Sequence, residues 1–280
     1  MKVAYCGRIG SFSHEASLNM FPNSQYIAFN TFQQAIESVH NDFANYAVIP
    51  IENSTAGRVA EIHNILPEMN LLITKEIILP ILHNIYTISP QVTLDSIEFV
   101  ESHPQALMQC SKFLSNLKVE QNPSLNTAIA AENLAISKKN NTAVICSQIA
   151  GNYYNLHLAG ESIQNNANNF TTFIAVGKKP LEKLQFNEEF KPITCIIFTI
   201  DNKTGGIYNA LGCFAKNGVN LLKLESYIST GTGINKAQFF VIFEGSNDSD
   251  NVVKSLNELS KHAIEIRNFG SYNADCKRFF

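Results

Sequence analysis

The sequence predicts an α/β protein in which a large first domain is followed by a smaller one. Over the first 177 residues, segments typical of strands alternate with segments typical of helices, which favours a sheet covered by helices on both faces. The composition changes at residues 178–192, where charged residues and two prolines interrupt the periodicity. The order after that is strand, helix, strand, strand, helix, strand, the split βαββαβ arrangement called ferredoxin-like. We therefore expect domains at 1–178 and 192–272, joined by a linker at 179–191.

The first domain opens with three predicted strands and three predicted helices. The strands are short apolar runs, whereas the helices carry apolar residues three and four positions apart. In the first helix we expect Ser13 to be the N-cap and Glu15 to lie in the first turn. The strands are KVAYC, YAVIPI and LLITKEIIL, and the helices are HEASLNMF, TFQQAIESVHN and RVAEIHNIL.

The same reading extends through the rest of the chain. Pro104 fits the first turn of a helix that we expect to run over residues 104–117. The first domain continues with strands IEFV and TAVIC and helices PQALMQCSKFLSNL and TAIAAENLAISKK. The second domain has strands ITCIIFTI, NLLKLESYI, KAQFFVIFEG and AIEIRNF and helices GIYNALGCFAKNG and NVVKSLNELSKH.

The composition disfavours several classes of function. A balance of 21 basic against 24 acidic residues disfavours a general nucleic-acid binder. The six cysteines lack C-x-x-C spacing, so we expect reduced thiols in a cytoplasmic protein and no metal site. Neither a signal-peptide core nor an apolar run long enough to span a membrane is expected. The few candidates for clamping an anionic substrate through a guanidinium are Arg8, Arg58, Arg267 and Arg278.

Three polar segments lie where a predicted strand gives way to a helix: VIPIENSTAGRV at 48–59, VESHPQALMQC at 100–110 and NPSLNTAIAAE at 122–132. Ligands of open α/β sheets bind beyond the carboxyl ends of strands, and helix N-termini attract anions. Together the segments predict a cleft for a small, oxygen-rich anion. A purely structural role stays open for each segment, because its polar side chains are also typical helix caps. The residues concerned are Ser54 or Thr55, then His103, then Asn126 or Thr127.

A fourth segment, NNFTTF at 168–173, carries two adjacent threonines into an apolar strand. With this segment, the motifs resemble those of the prephenate dehydratase family, in the same order along the chain. The second domain resembles the ACT regulatory module through GGIYNALGCFAKNGVNLLKLES. The resemblance extends over roughly residues 2–272, and in the first domain it rests on GRIGSFSHEAS, PIENSTAGRV, SHPQALMQC, NTAIAAE and NFTTF.

The resemblance implies both a fold and a reaction. The expected fold is a catalytic domain with two α/β lobes, as in periplasmic binding proteins, followed by an ACT domain. The expected reaction converts prephenate to phenylpyruvate in L-phenylalanine biosynthesis, with loss of carbon dioxide and water and without a cofactor. L-Phenylalanine is the implied effector. A homodimer or homotetramer is expected because ACT modules pair side by side, and because the strand KAQFFVIFEG would otherwise expose apolar surface.

The resemblance also implies roles for individual residues. Thr171 would be the catalytic threonine, whose hydroxyl assists departure of the substrate hydroxyl, and Phe173 would pack beneath the substrate ring. The other residues expected to bind substrate are Ser11, Asn53, Ser54, Thr55, Arg58, His83, Ser102, His103, Thr127, Asn169 and Thr172. Those expected to bind the effector are Gly205, Asn209, Leu211, Glu225 and Ser226.

The sequence departs from the family pattern in the first domain at Thr172 and Gln164. At Thr172 the family has an arginine that would hold a substrate carboxylate, and threonine carries no charge. Arg8, Arg58 or His83 are candidates to replace it. Gln164 stands where an aspartate is expected.

The second domain departs from its pattern twice. The family's Glu-Ser-Arg-Pro element reads Glu-Ser-Tyr227-Ile228, and its Gly-Ala-Leu turn reads Gly205-Gly206-Ile207. An altered phenylalanine response is therefore expected.

Three related functions stay open as alternatives. They are an arogenate dehydratase, a prephenate decarboxylase that does not dehydrate, and a non-catalytic amino-acid sensor. Retention of Thr171 argues against the decarboxylase, and retention of the other cleft motifs argues against the sensor.

Overall fold

The structure is a computed structural model that describes residues 1–181, 191–227 and 236–279. It divides into two compact units that do not follow chain order. The first unit consists of Met1–Ile62 and Ile78–Phe173, and the second of His63–Ile77 and the described part of Ile174–Phe280. Most of the expected linker, residues 182–190, lies outside the described residues. The domain boundaries at 1–178, 179–191 and 192–272 therefore stay a prediction.

The described residues form fifteen strands and nine α-helices. No helix among these residues is long and apolar enough to cross a membrane. The strands are β1 (Lys2–Cys6), β2 (Gln25–Phe29), β3 (Tyr46–Asn53), β4 (Gly57–Arg58), β5 (Leu72–Pro80), β6 (Asn84–Thr87), β7 (Phe99–Ser102), β8 (Glu120–Pro123), β9 (Thr142–Cys146), β10 (His157–Gly160), β11 (Phe170–Gly177), β12 (Pro192–Asp201), β13 (Leu221–Tyr227), β14 (Lys236–Glu244) and β15 (Glu265–Asn273). The helices are α1 (Phe12–Met20), α2 (Phe32–His40), α3 (Ala60–Ile65), α4 (Pro104–Gln109), α5 (Ser111–Leu114), α6 (Thr127–Ser137), α7 (Gln148–Tyr153), α8 (Gly206–Lys216) and α9 (Asp250–Leu259).

Two sheets contain the strands of the first unit. One has the order β2-β1-β3-β11-β5, with β4 paired to β3, and the unit boundary falls within β5 and β11. The other has the order β10-β6-β9-β7-β8. Its central strand β9 is buried along its whole length, as expected for the continuous apolar run TAVIC. The predicted α/β class is confirmed.

The third sheet lies in the second unit and has the order β13-β14-β12-β15. Helices α8 and α9 interrupt the strand sequence to give βαββαβ, so the ferredoxin-like prediction is confirmed. One face of the sheet packs against the helices through residues such as Phe198, Val241 and Phe214. Strand β14 lies inside the sheet, and its residues Phe240 to Phe243 are buried. The expectation that this strand exposes apolar surface is therefore wrong.

The expected helix at 104–117 is broken into α4 and α5. The cause is tertiary hydrogen bonding to the loop residue Asn165, which takes over the helical groups at the break. The Asn165 N–H donates to the carbonyl of Gln109 (2.6 Å), and the Asn165 side-chain oxygen accepts from the N–H of Lys112 (3.0 Å). A carbonyl bonded to the loop no longer continues the i to i+4 ladder, so the helix ends there.

Other differences from the predicted elements have local causes. Ser11, not Ser13, caps α1, and its hydroxyl accepts from the N–H of His14. Periodicity in the sequence did not predict β2, β4, β6, β8, β10 and α7. These elements are two to six residues long, and β8 reads EQNP, which has no apolar alternation to signal a strand. Arg58, expected to begin a helix, lies in β4, and α3 begins at Ala60.

The second face of the third sheet is covered by residues 63–77 of the same chain. Here the ring of His63 packs edge-on against Phe240. Arg267 donates to the carbonyls of Pro67 and Met69, which fastens the segment to β15. Residues 63–77 therefore contact this face of the sheet within the second unit.

A buried ion pair adds a further tie within the second unit. Arg278 donates to both carboxylate oxygens of Glu76 at 2.7 Å, and the N–H of Asp275 donates to the same group at 3.0 Å. The Glu76 side chain has no exposed surface, whereas that of Arg278 is 12% exposed. Such a carboxylate depends on its partners, because desolvation of an unpaired charge costs several kcal/mol.

We expect Arg278→Met to destabilise the protein by about 3–5 kcal/mol, since it leaves the Glu76 carboxylate buried and without its cation. Urea unfolding would measure the loss. Lys203→Met is the control, because the Lys203–Asp201 pair is exposed at both side chains and its loss should cost less than about 1 kcal/mol. Equal stability of the two variants would contradict this account of the pair.

Candidate active site

A cavity of about 730 Å³ lies in the first unit. Its wall is formed by the loops after β1 and β3, the first turns of α1, α4 and α6, and the start of β11. The cleft expected beyond the ends of several strands is therefore present. The residues expected at the site that line this cavity are Ser11, Asn53, His83, His103, Thr127, Thr171 and Phe173.

The side chain of Asn53 organises one wall of the cavity. Its oxygen accepts from the N–H groups of Thr55 (3.0 Å) and Ala56 (2.8 Å), forming an Asx turn at the end of β3. Its nitrogen lies 2.9 Å from both Thr171 Oγ1 and Asn169 Oδ1, and 3.1 Å from the carbonyl of Phe170. The amide therefore links β3 to the start of β11, more than 110 residues away in sequence.

Thr171 reaches the cavity because side chains alternate along a strand. Thr171 and Phe173 line the cavity, whereas Thr172, between them, does not. Thr171 Oγ1 accepts from the Asn53 amide, and no hydrogen bond donated by the Thr171 hydroxyl is found among the described residues. Its hydrogen is thus available to a ligand.

Ser54 fastens the strand that carries Thr171. The Ser54 N–H donates to the carbonyl of Phe170 (2.8 Å), and Ser54 Oγ accepts from the N–H of Phe170 (2.9 Å). The same hydroxyl donates to the carbonyl of Asn168 (3.1 Å). The alternative that Ser54 or Thr55 caps a helix is therefore wrong, because α3 begins only at Ala60.

Side-chain caps fix the helix N-termini that border the cavity. Ser11 caps α1, and Asn126 caps α6 by accepting from the N–H of Ile129 (2.8 Å). His103 caps α4 through Nδ1, which accepts from the N–H of Gln105 (3.3 Å). Of the two candidate caps of α6 the structure has Asn126, which leaves Thr127 as its first residue. The capping role considered for His103 is confirmed.

Six residues expected to bind substrate do not line the cavity: Ser54, Thr55, Arg58, Ser102, Asn169 and Thr172. Besides Ser54, two of them contribute to the framework behind it. Ser102 donates to the carbonyl of Ile145 (2.6 Å) inside the second sheet, and Asn169 bonds to Asn53 and Gln109. Arg58 lies exposed on β4. Direct substrate contacts for these six stay predictions.

The cavity lining carries few charged side chains. Among the described lysine, arginine, aspartate and glutamate residues, Arg8 and Glu61 alone line the cavity, and both are exposed. Of the candidates to replace the family arginine, Arg8 and His83 border the cavity and Arg58 does not.

Gln164 stands where an aspartate was expected. Its side-chain oxygen accepts a hydrogen bond from the backbone N–H of His83 (3.0 Å). An aspartate oxygen also accepts hydrogen bonds, so this acceptor function survives the change.

The sequence reading missed Gln109, which lines the cavity and contacts His83 and Asn169. A signal for it exists in the sequence. Gln105 and Gln109 are four residues apart on one helix, so both lie on the same face, and both line the cavity. Leu107, which lies between them in the sequence, is buried in the core instead.

The residues expected to bind an effector occupy three places in the second unit. Gly205 precedes α8 with a positive φ of 79°, a conformation that favours glycine. Asn209 and Leu211 lie on α8, and Asn209 N–H donates to the Gly205 carbonyl. Glu225 and Ser226 lie on β13, where Glu225 pairs with Lys223 at 2.9 Å. Ile228 lies outside the described residues.

Comparison with known proteins agrees with this geometry. A family model described as prephenate dehydratase matches residues 3–181. This chain belongs to the prephenate dehydratase family. Among family relatives, prephenate dehydratase of Lactococcus lactis is 30% identical, and the match covers 98% of each chain. Arogenate dehydratase/prephenate dehydratase 1 of Arabidopsis thaliana is 31% identical over 99% of this chain and 73% of the relative.

Two solved structures share the whole fold. GqqA, described as a novel type of quorum quenching acylase, superposes with a TM-score of 0.89 at 29% identity, covering 99% of this chain and all of that one. Prephenate dehydratase from Arthrobacter aurescens, in complex with L-Phe, superposes with a TM-score of 0.88 at 24% identity, covering 99% of this chain and 91% of that one. The family fold therefore extends over both units.

Burial lowers the pKa of three histidines in the first unit, His14, His83 and His103, from the usual 6.5. Well above pH 6.5 each is neutral whether the chain is folded or unfolded. As the pH falls below that value, the unfolded chain binds protons that the folded chain resists, so the free energy of unfolding falls.

We therefore expect His83→Gln to weaken the pH dependence of stability. Urea unfolding at pH 7.5 and pH 5.5 would measure it in both proteins. The wild type should lose more stability between these values than the variant, because glutamine does not titrate. The same loss in both proteins would show that His83 does not titrate abnormally.

Proposed function

We propose that this chain is a lyase that converts prephenate to phenylpyruvate in L-phenylalanine biosynthesis. One observation carries the proposal beyond family membership. Thr171 lines the cavity, and its Oγ1 accepts a hydrogen bond from the Asn53 amide at 2.9 Å. The hydroxyl hydrogen is therefore left to donate to a ligand in the cavity. A donor held in this way suits a departing hydroxyl group.

The reaction needs little beyond orientation and one donor. The bond between the ring and its carboxylate breaks, and the electron pair enters the ring as the C–O bond to the ring hydroxyl breaks. The hydroxide leaves with that bonding pair and becomes water by taking up a proton. Thr171 stabilises the charge that develops on the leaving oxygen, and aromatisation supplies the driving force. Phe173, two residues further along β11, lines the same cavity, which supports the proposal that it contacts the ring.

Recognition of a dianion relies on few charges in this cavity. Arg8 is the available cation among the described lining residues, and the first turns of α1 and α6 offer unpaired N–H groups. In this chain Thr172 stands where the family has an arginine. We propose that these groups share the role of that arginine. Because Arg8 is exposed, its contribution is expected to weaken with added salt.

Arogenate is a second candidate substrate, and one lining residue favours it. Arogenate carries an ammonium group where prephenate has a ketone, and Glu61 places a carboxylate at the cavity wall. Several relatives are named arogenate dehydratases, among them a protein of Petunia hybrida. Comparison of kcat/KM for the two substrates decides between them. A preference for arogenate that Glu61→Gln abolishes would support the second candidate.

We also propose that the βαββαβ part of the second unit is an ACT-type regulatory domain responsive to phenylalanine, in a cytoplasmic homodimer or homotetramer. The strand order supports the domain type. The resemblance of the segment around α8 to the ACT module supports phenylalanine as the ligand.

Thr171→Val should lower kcat for phenylpyruvate formation by about 100-fold or more, because valine matches threonine in shape and lacks the donor. Thr171→Ser, which keeps the hydroxyl, should retain most of the activity. Absorbance of phenylpyruvate gives the rate, and circular dichroism checks the fold. Near-normal turnover by the valine variant would remove Thr171 from the mechanism.

Phenylalanine should bind this protein about 10–100-fold more weakly than it binds a family member with an intact Glu-Ser-Arg-Pro element, the range expected for a lost charge-assisted contact. The structure adds a reason, because the Tyr227 hydroxyl is already engaged with His63 Nδ1. Isothermal titration calorimetry alongside an activity assay measures the effect. Micromolar affinity with strong inhibition would show that this element does not determine the response.

A further inference from the structure

His83 presents a buried nitrogen that has no hydrogen-bond partner among the described residues. The residue is 3% exposed and lines the cavity. Its Nε2 lies 2.9 Å from Gln109 Oε1, whereas Nδ1 makes no hydrogen bond to the described residues. A buried polar atom without a partner costs free energy, which a ligand in the cavity can recover. The identity of that ligand group depends on whether Nδ1 carries a hydrogen.

The hydrogen-bond directions can be followed from the backbone outwards. Backbone N–H groups can only donate, so the atom of Asn53 that faces the N–H groups of Thr55 and Ala56 is its oxygen. The nitrogen of Asn53 therefore faces Asn169. Because that nitrogen donates, the atom of Asn169 that receives the bond is its oxygen.

The same reasoning fixes the next two groups. With its oxygen turned to Asn53, Asn169 presents its nitrogen to Gln109 at 3.2 Å, so the facing atom of Gln109 is its oxygen. That oxygen also faces His83 Nε2, which must then be the donor. In a neutral imidazole with hydrogen on Nε2, Nδ1 is an acceptor.

The surroundings keep this imidazole neutral. Burial lowers the pKa of His83, and the nearby His103 lowers it further, against an opposing contribution from the Gln109 hydrogen bond. Phe12 packs edge-on at 5.8 Å between ring centroids and adds no charge. A neutral ring with a lone pair on Nδ1 does not attract a carboxylate, so His83 is a poor substitute for the missing family arginine.

We propose that His83 determines substrate orientation by accepting a hydrogen bond, through Nδ1, from the ring hydroxyl of the substrate. The identity of this hydroxyl rests on the proposed function, because at neutral pH the prephenate dianion carries a single hydrogen-bond donor, the hydroxyl that leaves. With its hydrogen bonded to His83, the hydroxyl has its lone pairs free to accept a hydrogen bond from Thr171. The assignment of the tautomer does not depend on the proposed function. It follows from the hydrogen bonds that link Asn53, Asn169 and Gln109 to His83.

The tautomer can be measured without any substrate. In protein labelled with 15N-histidine, the ring nitrogen shifts distinguish hydrogen on Nε2, hydrogen on Nδ1 and the doubly protonated ring. The His83 signals are assigned by their loss in His83→Leu or, if that variant does not fold, in His83→Gln. At pH 7.5 we expect the neutral ring with hydrogen on Nε2. A hydrogen on Nδ1, or a charged ring, would overturn the proposal.

Binding tests the second half of the proposal. In a Thr171→Val background, where turnover is slow, adding His83→Leu should weaken prephenate binding at least 10-fold. The affinity for phenylpyruvate, which lacks the hydroxyl, should change less than 3-fold. Equal weakening for both ligands would place His83 at a group they share and overturn the hydroxyl assignment. Wild-type protein that makes no phenylpyruvate would refute the proposed function alone and leave the measured tautomer standing.

Discussion

The site depends on the hydrogen bonds made by the side-chain amide of Asn53. One amide group closes the turn after β3 with its oxygen and fastens the start of β11 with its nitrogen. Both amide atoms are fully used, so the position of Thr171 is set by a group that cannot rotate without losing several hydrogen bonds. Removal of such a hub would leave buried polar atoms unpaired, at a cost of about 1–3 kcal/mol each. Thr171 is thus oriented by the framework rather than by a ligand.

The cavity combines a rigid polar wall with few charges. Neutral amides, hydroxyls and imidazoles extend from Asn53 to His83, whereas Arg8 is the one cation that the described lining provides. This composition fits a reaction whose driving force lies in the substrate and whose enzyme mainly orients groups. Thr172 does not line this cavity, because side chains alternate along β11 and Thr171 and Phe173 face it instead.

Local patterns in the sequence predicted most of the fold, and long-range contacts account for what they missed. The alternation of elements and the βαββαβ order required only periodicity. The break at Gln109 did not follow from the sequence, because it depends on a loop residue 56 positions away. Burial of β14 depends on its central place in the sheet and on residues 63–77, which fold back over it. At the site, strand periodicity alone distinguishes Thr171 from Thr172. Periodicity could not predict the hydrogen bonds of Gln109, because they reach His83, 26 positions away, and Asn169, 60 positions away.

The most direct test of the central claim is a crystal structure with a prephenate analogue whose saturated ring keeps the hydroxyl and cannot aromatise. We expect the hydroxyl oxygen to lie within about 3.2 Å of Thr171 Oγ1, with the Asn53 amide unchanged behind it. A bound analogue whose hydroxyl points toward solvent or toward Arg8, with Thr171 contacting a carboxylate instead, would contradict it.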